Sequence, residues 1–264
     1  AVSIWAGALG MSTPTAISRG EFGANVATPR ILELLSKEEV PTTWFIPGLD
    51  AETFPDACKQ VRDDGHEVGH HNYAHENTVN ATEEEERRIV ERGIEALENV
   101  LGVRPVGFRS PAWDLSPYTV DILVDNGFEY DSSAMAHDYW PYYCRTGDVV
   151  HADRPPVWGT ETNLVEVPVS WGLDDFPFTE FILGTTMTAT TDIVALGERW
   201  IADLDFLTDN LDGGVFTLTM HPQAIGRSSR LLLLRNVIRH GKERGVKFAT
   251  IKDVAASFAR GDGF

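Results

Sequence analysis

The feature that most constrains this chain is an alternation of short, apolar, β-rich runs with longer helical patterns. The runs are Thr42–Gly48 (TTWFIPG), Gly65–His71 (GHEVGHH), Pro105–Pro111 (PVGFRSP), Phe128–Ser133 (FEYDSS), Asn163–Trp171 (NLVEVPVSW), Val215–Pro222 (VFTLTMHP) and Val246–Ile251 (VKFATI). They are rich in β-branched and aromatic residues, and turn residues bound them, as expected of buried strands. Helix signals lie between them. Thr28 can cap Pro29–Lys37, with proline in the first turn, and Thr82 with Glu85 forms a capping box for a helix ending near Leu101 before Gly102. Ser116-Pro117 opens a further helix closed by Gly127, and Thr191–Asn210 and Ser228–Glu243 are long and periodic. Strand–helix repetition implies a mainly parallel sheet covered on both faces. At 264 residues, without a linker, the expected architecture is one α/β domain over residues 1–264: an irregular (β/α) barrel of seven or eight mostly parallel strands. Met135–Gly159 has no clear period and is expected to be a long loop.

Charge narrows the partners. A net charge of −18 lacks the basic surface that phosphate backbones require, so neither nucleic acid nor an anionic membrane is an expected partner. No apolar run reaches the roughly 18 residues needed to span a bilayer, and AVSIWAGALG has no basic start of the kind that opens an export signal. Cys58 and Cys144 are too few for a disulfide framework and read as separate reduced thiols. A cytoplasmic homo-oligomer acting on a small molecule or an N-acetylated carbohydrate is the expectation.

The chemistry-bearing residues sit where strands end. His71 and His75, in His-Asn-Tyr-Ala-His, follow a strand directly, and a spacing of four brings side chains to one side of a helical turn. Two imidazoles so placed can share a metal. His66 and His70 have the same spacing, but His66 belongs within the strand, where that spacing does not converge. Arg109 closes an apolar strand and needs a carboxylate, in a structural ion pair or on a substrate. His221 ends another apolar strand and is stopped by Pro222. In a parallel barrel the carboxyl ends of strands converge on one face, so His71, Arg109 and His221 are expected together. Asp205 lies in a helical pattern and alone reads as a surface acid. Asp174 and Asp175 follow a strand end and either shape a pocket or cap a turn.

In order, His71-x-x-x-His75, Arg109-Ser-Pro-Ala-Trp113, Asp205 and the apolar strand ending at His221 resemble the polysaccharide deacetylase (NodB-homology) family. Ile17–Phe22, Thr43–Gly48, Gly65–Gly69, Pro141–Tyr143 and Glu161–Pro168 resemble one branch of it more closely. That branch includes a Helicobacter peptidoglycan-deacetylase-like protein and is related to cyclic-imide hydrolases and PuuE-type allantoinases. The resemblance implies a distorted barrel that hydrolyses a non-peptide C–N bond with a divalent ion, zinc first and cobalt, manganese or nickel as substitutes. It implies that His71 and His75 bind the metal and His221 protonates the departing amine. It further implies that Arg109 orients a catalytic Asp base and that Asp205 tunes His221. Removal of acetyl from an N-acetylated sugar is the leading reading. Opening of a small cyclic imide or ureide in the same site is the alternative, and a non-catalytic ligand-binding homologue is a third. The family's first motif, an Asp-x-Asp near the N-terminus that supplies the base and the third ligand, is absent there, the first acid being Glu21. The resemblance puts that motif on a first strand just ahead of Ala1-Val2, so the expectation is that a short N-terminal segment is missing.

Overall fold

The computed structural model describes residues 2–182, 185 and 191–263. In chain order the helices and strands are α1 (Pro14–Phe22), α2 (Thr28–Lys37), β1 (Thr43–Ile46), α3 (Gly48–Thr53), α4 (Pro55–Asp63), β2 (Glu67–His70), α5 (Glu83–Leu101), β3 (Gly107–Phe108), α6 (Thr119–Asp125), β4 (Tyr130–Asp131), β5 (Tyr142–Thr146) and β6 (Thr160–Glu166). They continue with α7 (Phe176–Thr179), α8 (Ile193–Asn210), α9 (Pro222–Ile225), α10 (Ser228–Glu243) and α11 (Ile251–Arg260). The sheet order is β1-β2-β3-β4-β6-β5, parallel throughout except that β5 runs antiparallel to β6. The architecture is the expected mixed α/β one, an irregular barrel built around a mostly parallel sheet.

Several local signals act as physical chemistry predicts. Thr82 accepts from the Glu85 amide while Glu85 reaches back to the Thr82 amide, completing the capping box. Gly102 ends the same helix at φ 65°, a left-handed position that glycine occupies without steric cost. Outer helices bury their apolar stripes against the sheet and each other. Leu32, Ile46, Val61, Val68 and Leu97 join α2, α4 and α5 to β1 and β2, whereas Val90, Phe108, Ile122 and Leu164 join α5 and α6 to β3 and β6. Trp200 packs with Ile31, Leu35, Leu233 and Val237 between α2, α8 and α10.

Other expectations are corrected. Thr28 caps nothing, because residues 23–27 are already helical as a π-turn, and its hydroxyl instead donates to the Gly23 carbonyl. At the N-terminus Val2–Ala8 forms helical turns, while Ala1 lies outside the described residues. Residues 135–159 contain β5, and a bridge between Val149 and Val157 continues it outward as a hairpin. There Tyr142 and Tyr143 alternate with buried Cys144 and exposed Arg145, a period that the surrounding prolines obscure in sequence.

The segments 215–220 and 246–250 are extended but join no ladder. Among the described residues, 215–220 has one bridge, between Asp174 and Thr219, so six strands make up the sheet. Trp44 borders the same apolar cluster as Phe216, Leu218 and Met220, and Phe45 borders the same one as Val215. No backbone hydrogen bond joins this segment to β1 among the described residues.

Candidate active site

The carboxyl ends of the parallel strands deliver the site. β2 ends at His70 and passes directly into a tight turn, residues 71–75. Asn72 and His75 in this turn stand at φ 57° and 61°. Such left-handed positions are uncommon for residues other than glycine, and they persist only where surrounding structure holds them. Here the Gly48 and Leu49 amides donate to the carbonyls of Asn72 and Tyr73, and the Asn72 side chain donates to the Glu76 carbonyl. Gly7 backs onto Ala74 so closely that a Cβ there would lie 2.0 Å from the Ala74 carbonyl oxygen. The four-residue spacing thus works through a strained turn rather than a helix, and it brings the rings of His71 and His75 to 4.7 Å, edge to face.

The donor chemistry of this pair suits a cation. A carbonyl can only accept, so the 2.6 Å contact with the Arg109 carbonyl places the hydrogen on His71 Nδ1 and leaves Nε2 as the lone-pair atom. Burial holds His71 neutral well below the ordinary histidine range, and the charges of His75, Arg109 and His221 add to this. His75 is pushed down to about 3, first by burial and then by His221, and its Nδ1 is buried without a hydrogen-bond partner among the described residues. Two neutral imidazoles, one oriented by a backbone carbonyl and one with an orphaned buried nitrogen, fit a metal as two of its ligands. The other histidine pair does not. His66 Nδ1 contacts Thr42, and His70, fully buried, donates from Nε2 to the Val90 carbonyl and is pushed down to about 3 by burial.

His221 closes the extended segment 215–220 and caps α9. Its Nδ1 lies 2.8 Å from Asp175 Oδ1 and 3.6 Å from Asp174 Oδ1, and its amide also donates to Asp175. Burial alone would lower its pKa, but Asp174 and the hydrogen bond and charge of Asp175 outweigh burial and raise it above 6.5. Asp174 is itself raised to about 6, chiefly by burial, with Asp175 adding to the rise and His221 opposing it. Ligand-type atoms of Asp174, Asp175 and His221 all lie within 4.8 Å of one another. Asp205 is not part of this arrangement. Its carboxylate receives His240 Nε2 at 2.7 Å and lies 3.4 Å from Arg244, between α8 and α10. The expected tuning of His221 by Asp205 is therefore corrected to Asp174 and Asp175. These follow the β6 extension and are tied to 215–220 through the Asp175 amide and the Thr219 carbonyl.

Arg109 is buried and has no ion pair among the described residues. Its Nε and Nη2 donate to the Ser132 carbonyl and hydroxyl at 2.8 and 2.7 Å, Nη1 donates to Thr219 at 3.2 Å, and its guanidinium faces the Phe45 ring at 4.5 Å. Burial pulls it down to about 10 against the attraction of Tyr130, Asp174, Asp131 and Glu166. It is a cation with its charge uncompensated at contact distance, facing the interior. Trp113, four residues on at φ 52°, pairs with the partly exposed Trp171 at 4.3 Å. The sequence reading missed Ser132 as the partner of Arg109 and Asp175 as that of His221. The position of Asp174-Asp175 after a strand end was the only available signal for the second.

Comparisons with known proteins give the family and the fold. A family model described as polysaccharide deacetylase matches residues 20–130. The peptidoglycan deacetylase of Helicobacter pylori is 37% identical over 98% of this chain and 93% of its own length. The peptidoglycan deacetylase-like protein FGM2 of Gibberella zeae is 30% identical over 91% of this chain and 78% of its own. Among solved structures, one from Mycobacterium smegmatis assigned to the polysaccharide deacetylases superposes with a TM-score of 0.79 at 36% identity, covering 97% of this chain and 83% of that one. PuuE allantoinase shares the fold, with a TM-score of 0.77 at 22% identity over 94% and 77% of the two chains.

Proposed function

Since the chain belongs to the polysaccharide deacetylase family, whose members hydrolyse C–N amide bonds, we propose that it removes acetyl groups from an N-acetylated sugar. The observation that carries this reading is the convergence of His71, His75 and the Asp175-bound His221 at one end of the sheet. His71 and His75 would hold a divalent ion, zinc by preference, which when bound polarises the amide oxygen and acidifies water. His221, with its proton stabilised by Asp174 and Asp175, donates to the leaving nitrogen, so that an amine rather than an amide anion departs. Arg109 holds a carboxylate base in position through its uncompensated charge. The half-exposed Trp113–Trp171 pair gives a sugar ring an apolar face to stack on.

The test is amine release from N-acetylated chitooligosaccharides, with bound metal measured in the same preparations. Turnover that disappears in His71→Ala and His221→Ala supports the reading. Turnover of succinimide- or hydantoin-type rings in place of the sugar would move the assignment to the cyclic substrate. Full activity in metal-stripped protein would remove the proposed role of His71 and His75.

A further inference from the structure

In a chain of net charge −18, one corner beside the site is cationic. Arg19 of α1 and Arg230 of α10 both pair with Glu180, a side chain only 6% exposed. Each also donates to backbone: Arg19 to the Phe181 carbonyl, and Arg230 to those of Thr179 and Ala224. Both guanidiniums are thus held in place around a single carboxylate. Arg227 joins them from the start of α10. It is exposed, its guanidinium lies 3.7 Å from the centre of the Phe22 ring, and its side chain has no hydrogen bond or ion pair among the described residues. Arg30 of α2 is exposed and equally unpaired. Burial, and then Arg230, Arg19 and Arg30 against the pull of Glu180, draw Arg227 below the ordinary arginine range, as expected of cations crowded together. Arg19 and Arg230 share one carboxylate here, while the side chains of Arg227 and Arg30 have none at contact distance among the described residues.

Two structural links tie this corner to the reaction centre. His221 stands at the N-cap position of α9, and Arg227 follows that four-residue helix by two residues. Arg19 stacks over Trp5 at 3.9 Å, Trp5 neighbours Phe176 at 6.5 Å, and Phe176 touches the His221 ring at 4.9 Å. An anionic polymer approaching this molecule is repelled by most of its surface and attracted at this corner, which focuses encounters next to His221.

We propose that the Arg19–Arg227–Arg230 corner is an anion subsite, which takes a carboxylate on a sugar neighbouring the N-acetyl group to be cleaved. The planar fork of an unpaired guanidinium matches a carboxylate bidentately. Arg227 is the residue free to do this, with Arg19 and Arg230 supplying fixed background charge. This inference rests on the deacetylase reading for its location, and its test separates the two.

The complete chain is given two N-acetylhexosamine oligomers of equal length, one neutral and one bearing a lactyl-type carboxylate ether on alternate sugars. Turnover and calorimetric binding are measured for both in low and high salt. At low salt the carboxylated oligomer should be preferred by about fivefold, the factor an exposed ion pair supplies, with the difference in KM. The preference should fall toward one in Arg227→Gln, return in part in Arg227→Lys, and shrink in high salt. Equal use of both oligomers, or a preference that survives in Arg227→Gln, overturns the subsite and leaves the deacetylase reading standing. Binding that prefers the carboxylate through Arg227 without turnover of either oligomer keeps the subsite and overturns the deacetylase.

Discussion

Asp174 offers a sharp test of how the site is built, because its charge is expensive. The side chain is 2% exposed, and its pKa is raised from 3.8 to about 6, chiefly by burial. A carboxyl whose folded pKa exceeds its unfolded value favours the folded state while protonated. That advantage is complete below about pH 4 and is lost as pH rises through about 6. A rise of about two pH units at ~1.4 kcal/mol each makes about 3 kcal/mol, of which about 2 kcal/mol is lost above pH 4.5. Asp174→Asn keeps the acceptor that the Phe176 amide uses at 2.7 Å but cannot ionise. It also removes one of the two charges holding the His221 proton, which works against the gain. The net expectation is that, relative to wild type, the variant gains about 1–2 kcal/mol between pH 4.5 and 7.5. Urea unfolding of both proteins across that range gives the difference directly. Parallel stability curves, or a variant that loses ground as pH rises, would refute burial as the dominant influence on Asp174.

Further expectations follow from the same geometry. Asp175→Asn should move the alkaline limb of kcat/KM to lower pH, because His221 then loses its proton more readily, whereas Asp205→Asn should leave that limb in place. His71→Ala and His75→Ala should each abolish stoichiometric binding of a divalent metal, measured by elemental analysis after dialysis. Gly93→Ala should destabilise the fold by about 1–3 kcal/mol in chemical denaturation. The new Cβ would lie 2.2 Å from His70 Nε2 and displace the hydrogen bond to Val90.

Much of this arrangement was legible in sequence where local physics and position agree. β1 to β4 are apolar runs bounded by turn residues, and the α5 capping box is written out in Thr82 and Glu85. Strand-end position brought His71, Arg109 and His221 to one face because parallel strands share a carboxyl end. What stayed illegible depends on long-range pairing. Asp205 and Asp175 are both acids near apolar segments, and only tertiary packing decides that the first meets His240 and the second His221. Likewise no local signal shows that Arg109 is satisfied by Ser132, or that residues 215–220, as apolar as any strand here, lack a continuous ladder. The spacing of His71 and His75 was read as helical, whereas positive φ at Asn72 and His75 achieves the convergence instead. Such conformations are imposed by contacts distant in sequence.

Position 109 has two employers. Its carbonyl sets which nitrogen of His71 is free, and its guanidinium projects into the interior toward Ser132 and Thr219. Replacing the side chain removes only the second service. A shift in the register of β3 against β2 would disrupt both at once. Protein engineers should therefore find residue 109 itself more tolerant than the short strand that carries it, and should look for coupled losses of activity in substitutions at Gly107 and Phe108 that never touch a reacting atom.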